Sequence, residues 1–99
     1  MRIAVTDNPQ HNRYEAHVDG QLAAFAVYVR RPDAIVLPHV ETLPRFRGQG
    51  IASLLVGEVL DAVAAQGAKV IPRCPFVADF ISRNPEYARL LADGYRAQA

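Results

Sequence analysis

The sequence contains a single cysteine, Cys74, so it cannot form an intramolecular disulfide. Its 11 basic and 10 acidic residues give a net charge of +1, which argues against a nucleic-acid or membrane-surface partner held by overall charge. No apolar run approaches the roughly 20 residues that a membrane-spanning helix needs, and no continuous apolar stretch typical of a signal peptide opens the chain. These absences predict a cytoplasmic protein, in a reducing compartment, with neither nucleic acid nor membrane as a partner.

Several common site motifs are also missing. The three histidines and one cysteine have no spacing typical of a zinc site, so we expect no metal. No Gly-Lys-Ser/Thr triplet is present for a P-loop, and Ser53 stands where a dinucleotide-binding fingerprint would require its third glycine. The aromatic residues are few and interleaved with apparent core positions, which excludes a platform for stacked bases.

The hydrophobic content of 51% over 99 residues predicts one folded domain, residues 1–99, with a single core. Asp19-Gly20 favours a tight hairpin turn between two strands. The strand after it is apolar on both faces, so we expect it at the centre of the sheet. Pro38 cannot donate a ladder hydrogen bond and predicts a bulge in the next strand. The predicted antiparallel strands are 2–5, 13–18, 22–29 and 34–42, with turn residues at 6–10.

The second half of the chain has the periodicity of helices. A stripe of apolar residues begins at Ile51 and predicts a helix that Gly67 ends; its members are Ile51, Leu54, Leu55, Val59, Leu60 and Val63. Residues 68–71 read as a strand parallel to the one that ends near Thr42, because a helix lies between the two. Further helices are expected from Pro75, with Phe76, Val77, Phe80 and Ile81 as its stripe, and from Asn84-Pro85 to Gly94. The predicted fold class is α+β, with a mostly antiparallel sheet, one parallel crossover and C-terminal helices.

The stretch Gly48-Gln49-Gly50 enters the predicted first helix directly. Glycine lets the backbone turn and approach a ligand closely, and the first N–H groups of a helix have no partners within the helix. Arg45 and Arg47 add planar charged donors suited to phosphate oxygens. The stretch therefore predicts a site for a pyrophosphate.

Arg45-Phe46-Arg47-Gly48-Gln49-Gly50 also fits the Arg/Gln-x-x-Gly-x-Gly/Ala signature of the GCN5-related N-acetyltransferases. The chain resembles a minimal branch of that family in three further blocks, which are His39 with Glu41, Pro72–Val77 with its Cys-Pro-Phe run, and Arg83–Tyr87. The resemblance implies the acyltransferase fold of that family. It also implies that loop N–H groups hold the pyrophosphate of acetyl-CoA.

The resemblance further implies the residues of the site. Those expected to bind acetyl-CoA or coenzyme A are Thr42, Leu43, Arg45, Phe46, Arg47, Gly48, Gln49, Gly50, Ile51, Ala52 and Arg83. Those expected to act in catalysis are Cys74, His39 and Glu41. Two interpretations of Cys74 stay open: a small buried core residue, or a nucleophile favoured by Arg73 and a helix N-terminus. His39 and Glu41 share one side of a strand and are candidate bases, although each could instead be an ordinary surface residue.

The expected activity is transfer of acetyl to an amine of an unidentified small molecule or protein. It would proceed by direct attack or through an acylated Cys74, in a monomer or weak dimer. Related acetyltransferases carry one or two helices between their first two strands, whereas residues 6–12 are too few here for a helix pair. This absence motivates an alternative, a module that binds or senses coenzyme A without turnover. A third possibility is a pure interaction domain whose loop keeps only the shape of the motif.

Overall fold

The computed structural model describes residues 2–95. Its strands are β1 (Ile3–Asn8), β2 (Arg13–Val18), β3 (Gln21–Arg30), β4 (Ala34–Thr42) and β5 (Lys69–Ile71). Its helices are α1 (Ile51–Ala65) and α2 (Pro75–Arg83), and short 3-10 turns occupy Pro9–His11, Pro44–Phe46 and Pro85–Leu90. The helix α1 ends as predicted, with Gly67 just beyond it at a φ of 69°.

The five strands form one sheet in the order β1-β2-β3-β4-β5. The first four strands are antiparallel neighbours, while β4 and β5 are parallel because α1 carries the chain back along the sheet. The strand that is apolar on both faces, β3, lies at the centre. The predicted α+β architecture is therefore confirmed, including its single parallel pair.

One face of the sheet, named here the helix face, packs against α1. Alternate residues of β2, β3 and β4 project from it into a core shared with α1 and α2; they include Tyr14, Ala16, Ala24, Ala26, Tyr28, Ile35 and Leu37. From α1 the core receives Ile51, Leu55, Val56, Val59, Leu60 and Val63. Leu54 was predicted to join this stripe, but it is exposed because its position turns away from the sheet.

The opposite side of the sheet, named here the open face, is not covered by α1 or α2. It carries the other alternate residues of the same strands: Arg13, Glu15, Phe25, Val27, Val29, His39 and Glu41. At its β4–β5 edge Ala34, Val36 and Ile71 form a small second cluster with Ala92. Between β1 and β2 the chain makes only the turn Pro9–His11, so the absence of a helix pair there matches the expectation.

The predicted bulge in β4 is present. Val27 pairs with His39 and Val29 pairs with Val36, so the single residue Tyr28 stands opposite both Leu37 and Pro38. The parallel pairing with β5 stops at Val36, so β4 and β5 diverge beyond it. Strand β4 therefore stays paired with β3 but loses β5 midway, and it presents His39 and Glu41 beyond the bulge.

The predicted boundaries of two elements were also wrong. Thr6, predicted to begin a turn, lies within β1, because the pairing of β1 with β2 continues to Asn8. The expected third helix is a 3-10 turn that ends at Leu90 rather than at Gly94, because Leu91 leaves it to bridge Val70 of β5. Of the terminal residues predicted to fray, 96–99 lie outside the described residues.

Within residues 2–95, no helix combines the length and the apolar character needed to cross a bilayer. The same residues hold no group of three or more His, Cys, Asp or Glu side chains placed to bind a metal ion.

Candidate active site

The Gly48–Gly50 loop follows the end of β4 and a short turn. Both glycines have a φ of 77°, a conformation that side-chain-bearing residues rarely adopt. A Cβ atom built on either glycine would meet no atom within 4 Å. The glycines are therefore required by backbone conformation rather than by packing, and the space in front of the loop is open to a ligand.

The N-terminus of α1 faces the same space. Gly50 is its N-cap residue and supplies no side-chain cap. The first hydrogen bond of the helix runs from the Leu54 N–H to the Gly50 carbonyl at 3.2 Å. Among residues 2–95, the N–H groups of Ile51, Ala52 and Ser53 donate to no protein acceptor. These free donors and the positive end of the helix dipole make the loop a site for an anion.

The two arginines of the motif flank this site. The Arg47 Nε donates to the Thr42 carbonyl at 3.2 Å, which holds the side chain across the loop and leaves its terminal nitrogens as further donors. The Arg45 guanidinium lies 5.0 Å from the centre of the Phe46 ring. Phe46 itself is buried and anchors the turn in the core. The Gln49 amide donates to the Arg45 carbonyl at 3.4 Å, which closes the loop.

A cavity of about 210 Å³ opens between the loop and α2. Seven of its lining residues belong to the predicted cofactor set, whereas Ser53 and Phe76 do not. The full lining is Thr42, Phe46, Arg47, Gly48, Gly50, Ile51, Ala52, Ser53 and Phe76. Phe76 was assigned to the core stripe of α2, yet it is 40% exposed. Its place in the first turn of α2, directly after Cys74-Pro75, was the available signal that it could face a site rather than the core.

The remaining predicted cofactor residues lie at the edge of this cavity or away from it. Arg83 lines an adjoining hollow of about 500 Å³ that also includes Ser53 and Phe76. Its guanidinium pairs with Asp79 at 3.0 Å on the exposed side of α2. Leu43 does not line the cavity: its N–H donates to the Ala23 carbonyl at 2.8 Å and its side chain packs against the core.

His39 and Glu41 lie together on the open face. The His39 Nε2 and the Glu41 Oε1 are 3.1 Å apart, and both side chains are accessible to solvent. Phe25 of β3 lies beside them. It is the register partner of Glu41, and the centre of its ring lies 6.2 Å from the centre of the His39 ring. The two predicted candidate bases are thus one hydrogen-bonded pair.

Cys74 lies apart from that pair. It is the N-cap residue of α2, as predicted, but only 7% of it is exposed and it packs in the main core. Its N–H donates to the Leu37 carbonyl. Within the described chain no hydrogen bond links its thiol to His39 or Glu41.

The open face holds a buried carboxylate, that of Glu15, which the sequence did not predict. Only 8% of Glu15, which lies in β2, is exposed. Burial alone would raise the pKa of the Glu15 carboxyl, but hydrogen bonds from Arg13 at 2.7 Å and Asn8 at 3.0 Å outweigh it and hold the pKa below its ordinary value. The alternation of Arg13, Glu15 and His17 could have indicated a cluster of charged side chains, because alternate residues of a strand lie on one face.

Comparison with known proteins gives a consistent picture. The family model described as GCN5-related N-acetyl-transferase matches residues 13–90. A GCN5-like protein from Staphylococcus aureus, solved by NMR, has a TM-score of 0.67 and 18% identity over 90% of this chain and 87% of that chain. The ribosomal-protein-S18-alanine N-acetyltransferase of Escherichia coli has a TM-score of 0.59 and 19% identity over 67% of this chain. The aminoglycoside N-acetyltransferase AAC(6')-Iy, solved with CoA, has a TM-score of 0.52 and 20% identity over 88% of this chain.

The chain spans 43% of the length of the Escherichia coli enzyme and 63% of the aminoglycoside enzyme. None of the curated proteins matches it significantly. The structural similarities confirm the predicted acyltransferase fold, and the family model covers most of the chain. The chain belongs to the family of GCN5-related N-acetyltransferases.

Proposed function

We propose that this protein is an enzyme that transfers an acetyl group from acetyl-CoA to an amine. One observation carries the proposal: Gly48 and Gly50, both with positive φ, lead directly into the N-terminus of α1, which has no side-chain cap, and Arg47 is held across the same opening. This donor set suits a pyrophosphate, because free N–H groups and guanidinium nitrogens are strong partners for phosphate oxygens. Family membership supports acetyl-CoA as the source of that pyrophosphate.

The phosphates would be held by the loop residues, by Arg47 and by the first turn of α1 as far as Ser53, and Phe76 of α2 would form another part of the cavity wall. Beyond the bulge at Pro38, the edge of β4 that has left β5 offers backbone groups for the amides of the pantetheine arm. Arg83 is proposed as an outer contact, since its hollow adjoins the loop cavity.

Bound acetyl-CoA would supply a thioester, whose acetyl carbon bonds to the amine nitrogen as its bond to sulfur breaks. The proton that the amine loses would pass to His39. Glu41 is a carboxylate and can only accept, so the His39 Nε2 carries the hydrogen that joins the pair and Nδ1 keeps a free lone pair. Glu41 thereby orients the imidazole for this proton transfer.

We favour direct attack of the amine over an acylated Cys74. Nucleophilic catalysis requires a thiol that the thioester can reach, whereas Cys74 is packed in the main core with Leu37 beside it. The Cys-Pro-Phe run then serves to start α2: Cys74 is its N-cap and Pro75 its first residue.

Calorimetric titration with acetyl-CoA tests the cofactor site. We expect wild-type protein to bind, and Arg47→Ala to weaken binding by about tenfold, because a charged hydrogen bond contributes about 1.5–3 kcal/mol. Arg31→Ala is the matched control, since this exposed arginine lies before Ala34 at the opposite end of β4. No binding by folded wild type would refute the proposal.

A second candidate is a module that binds coenzyme A without turnover. It is favoured by the short turn Pro9–His11, because within residues 2–95 no helix lies between β1 and β2 to form a wall for the acceptor. Binding of acetyl-CoA with no acetylated product from any amine would select it over the enzyme.

A further inference from the structure

A hollow of about 640 Å³ lies between the turn 9–12 and the second half of β3. Its floor is formed by Val27 and Val29, which alternate with the core residue Tyr28 and therefore project from the open face. Val29 is 50% exposed, an unusual state for a valine in a central strand. The volume falls in the range of about 300–1,000 Å³ typical of small-molecule sites.

This hollow adjoins the proposed catalytic pair. Val27 is the register partner of His39 across β3 and β4, and both side chains lie on the open face. Directly opposed residues of an antiparallel pair have Cβ atoms about 5 Å apart. The apolar floor therefore begins beside the imidazole and extends away from Glu41.

Charged side chains near the hollow lie on both faces of the sheet. None of the residues that line it is acidic, and its charged member is Arg30. The Arg30 guanidinium pairs with Asp7 at 3.4 Å, and the other oxygen of Asp7 accepts a hydrogen bond from the Tyr28 hydroxyl at 2.6 Å. Arg30 lies over the ring of Tyr28, a core residue of the helix face, so this ion pair lies on the other side of the sheet from Val27 and Val29. On the open face, the register partner of Val27 on β2 is Arg13, whose Nε donates to Glu15 at 2.7 Å.

We propose that this hollow receives the apolar body of the acceptor, and that the acceptor is a primary monoamine with an alkyl or aryl group. Its nitrogen lies at the His39–Glu41 pair and its body on Val27 and Val29. A polyamine or a lysine-rich tail fits poorly, because a second ammonium group would lie on the two valines, where the lining of the hollow has no acidic side chain and the Arg13 guanidinium is beside Val27. The inference rests on the proposed acetyl transfer and specifies its substrate class.

Three amines test the inference by their kcat/KM values: 2-phenylethylamine, ethylamine and 1,4-diaminobutane. We expect 2-phenylethylamine to exceed each of the others by about tenfold or more, since only its body buries apolar surface on the two valines. Val29→Asp should remove this advantage, because it places a charge on the apolar floor. Ala4→Asp is the matched control, because Ala4 is exposed on the same face of β1 and lies outside the hollow.

NMR shifts of the Val27 and Val29 methyl groups on addition of 2-phenylethylamine separate this inference from the proposed function. Shifts that Val29→Asp abolishes support the hollow as an amine site even if no amine is acetylated, in which case the proposed transfer alone fails. Turnover that favours 1,4-diaminobutane, or that is indifferent to Val29→Asp, overturns the inference and leaves the transfer standing. Absence of shifts at both valines overturns it as well.

Discussion

The backbone N–H of Cys74 donates a hydrogen bond of 3.0 Å to the carbonyl of Leu37. This bond ties the start of α2 to β4 just past the point where β4 and β5 diverge. It holds the Cys74 side chain in the core on the helix face, while His39, two residues beyond Leu37, projects from the open face. The sheet thus separates the only thiol of the sequence from the candidate catalytic residues His39 and Glu41.

This separation predicts different effects for two substitutions. Cys74→Ala should keep at least about half of the turnover and cost about 1 kcal/mol of folding stability, as the loss of a small buried group does. His39→Gln should lower kcat by about 10²-fold or more, because it removes the proton acceptor. Steady-state kinetics and thermal unfolding measure both. An acetylated protein detected by mass spectrometry, together with loss of turnover in Cys74→Ala, would contradict direct attack.

We expect Gly50 to contribute to ligand binding as well as to stability, whereas Gly67 contributes to stability alone. Both residues have positive φ and open space around a built Cβ, so an alanine at either should cost about 1 kcal/mol of stability. Only Gly50 lies at the anion site, where the added methyl group would occupy ligand space; Gly67 lies at the other end of α1. We expect Gly50→Ala to weaken acetyl-CoA binding by about tenfold or more in calorimetry. Equal affinities for the two variants would show that the loop does not touch the ligand.

The buried carboxylate of Glu15 predicts a pH-dependent contribution to stability. Its pKa is lowered from about 4.5 in the folded state, so its ion pair with Arg13 stabilises the fold above that value, and the contribution disappears as the pH falls through the folded pKa. Glu15→Gln should cost about 1–3 kcal/mol near neutral pH.

Urea unfolding across the acid range measures this contribution. The difference between wild type and Glu15→Gln should be constant above about pH 5 and shrink below the ordinary carboxyl pKa. Glu58→Gln, on the exposed side of α1, provides the control and should change little at any pH. A difference that grows as the pH falls would contradict the proposed ion pair.

Much of the fold could be predicted because local and tertiary signals agree. Three sequence features each have one dominant physical effect. The four-residue apolar period from Ile51 predicts a helix, Gly67 ends it, and Pro38 predicts the bulge in β4. The errors occurred where tertiary pairing overrides local preference. Thr6 lies in turn-forming sequence but is drawn into β1 by its pairing with Glu15, and Leu91 leaves its turn to bridge Val70.

The candidate site was predictable where it is continuous in sequence and not where it is assembled from several strands. The Gly48–Gly50 motif and the pair of His39 with Glu41 are local patterns. The exposure of Phe76 depends on how α2 packs against the loop, and the burial of Glu15 depends on Asn8 and Arg13 meeting it across two strands. The hollow beside Val29 follows from the shortness of the turn before β2, whose consequence appears only in three dimensions.

The most direct test of acetyl transfer is a product assay with purified protein, acetyl-CoA and 2-phenylethylamine. Release of the CoA thiol is followed continuously, and the acetylated amine is identified by mass spectrometry, with Gly50→Ala and Gly67→Ala measured in parallel. We expect N-acetylated product from wild type and Gly67→Ala, with turnover at subsaturating acetyl-CoA reduced about tenfold or more in Gly50→Ala. Thiol release no faster than in the absence of protein, for this amine and for a wider set of primary amines, would contradict it.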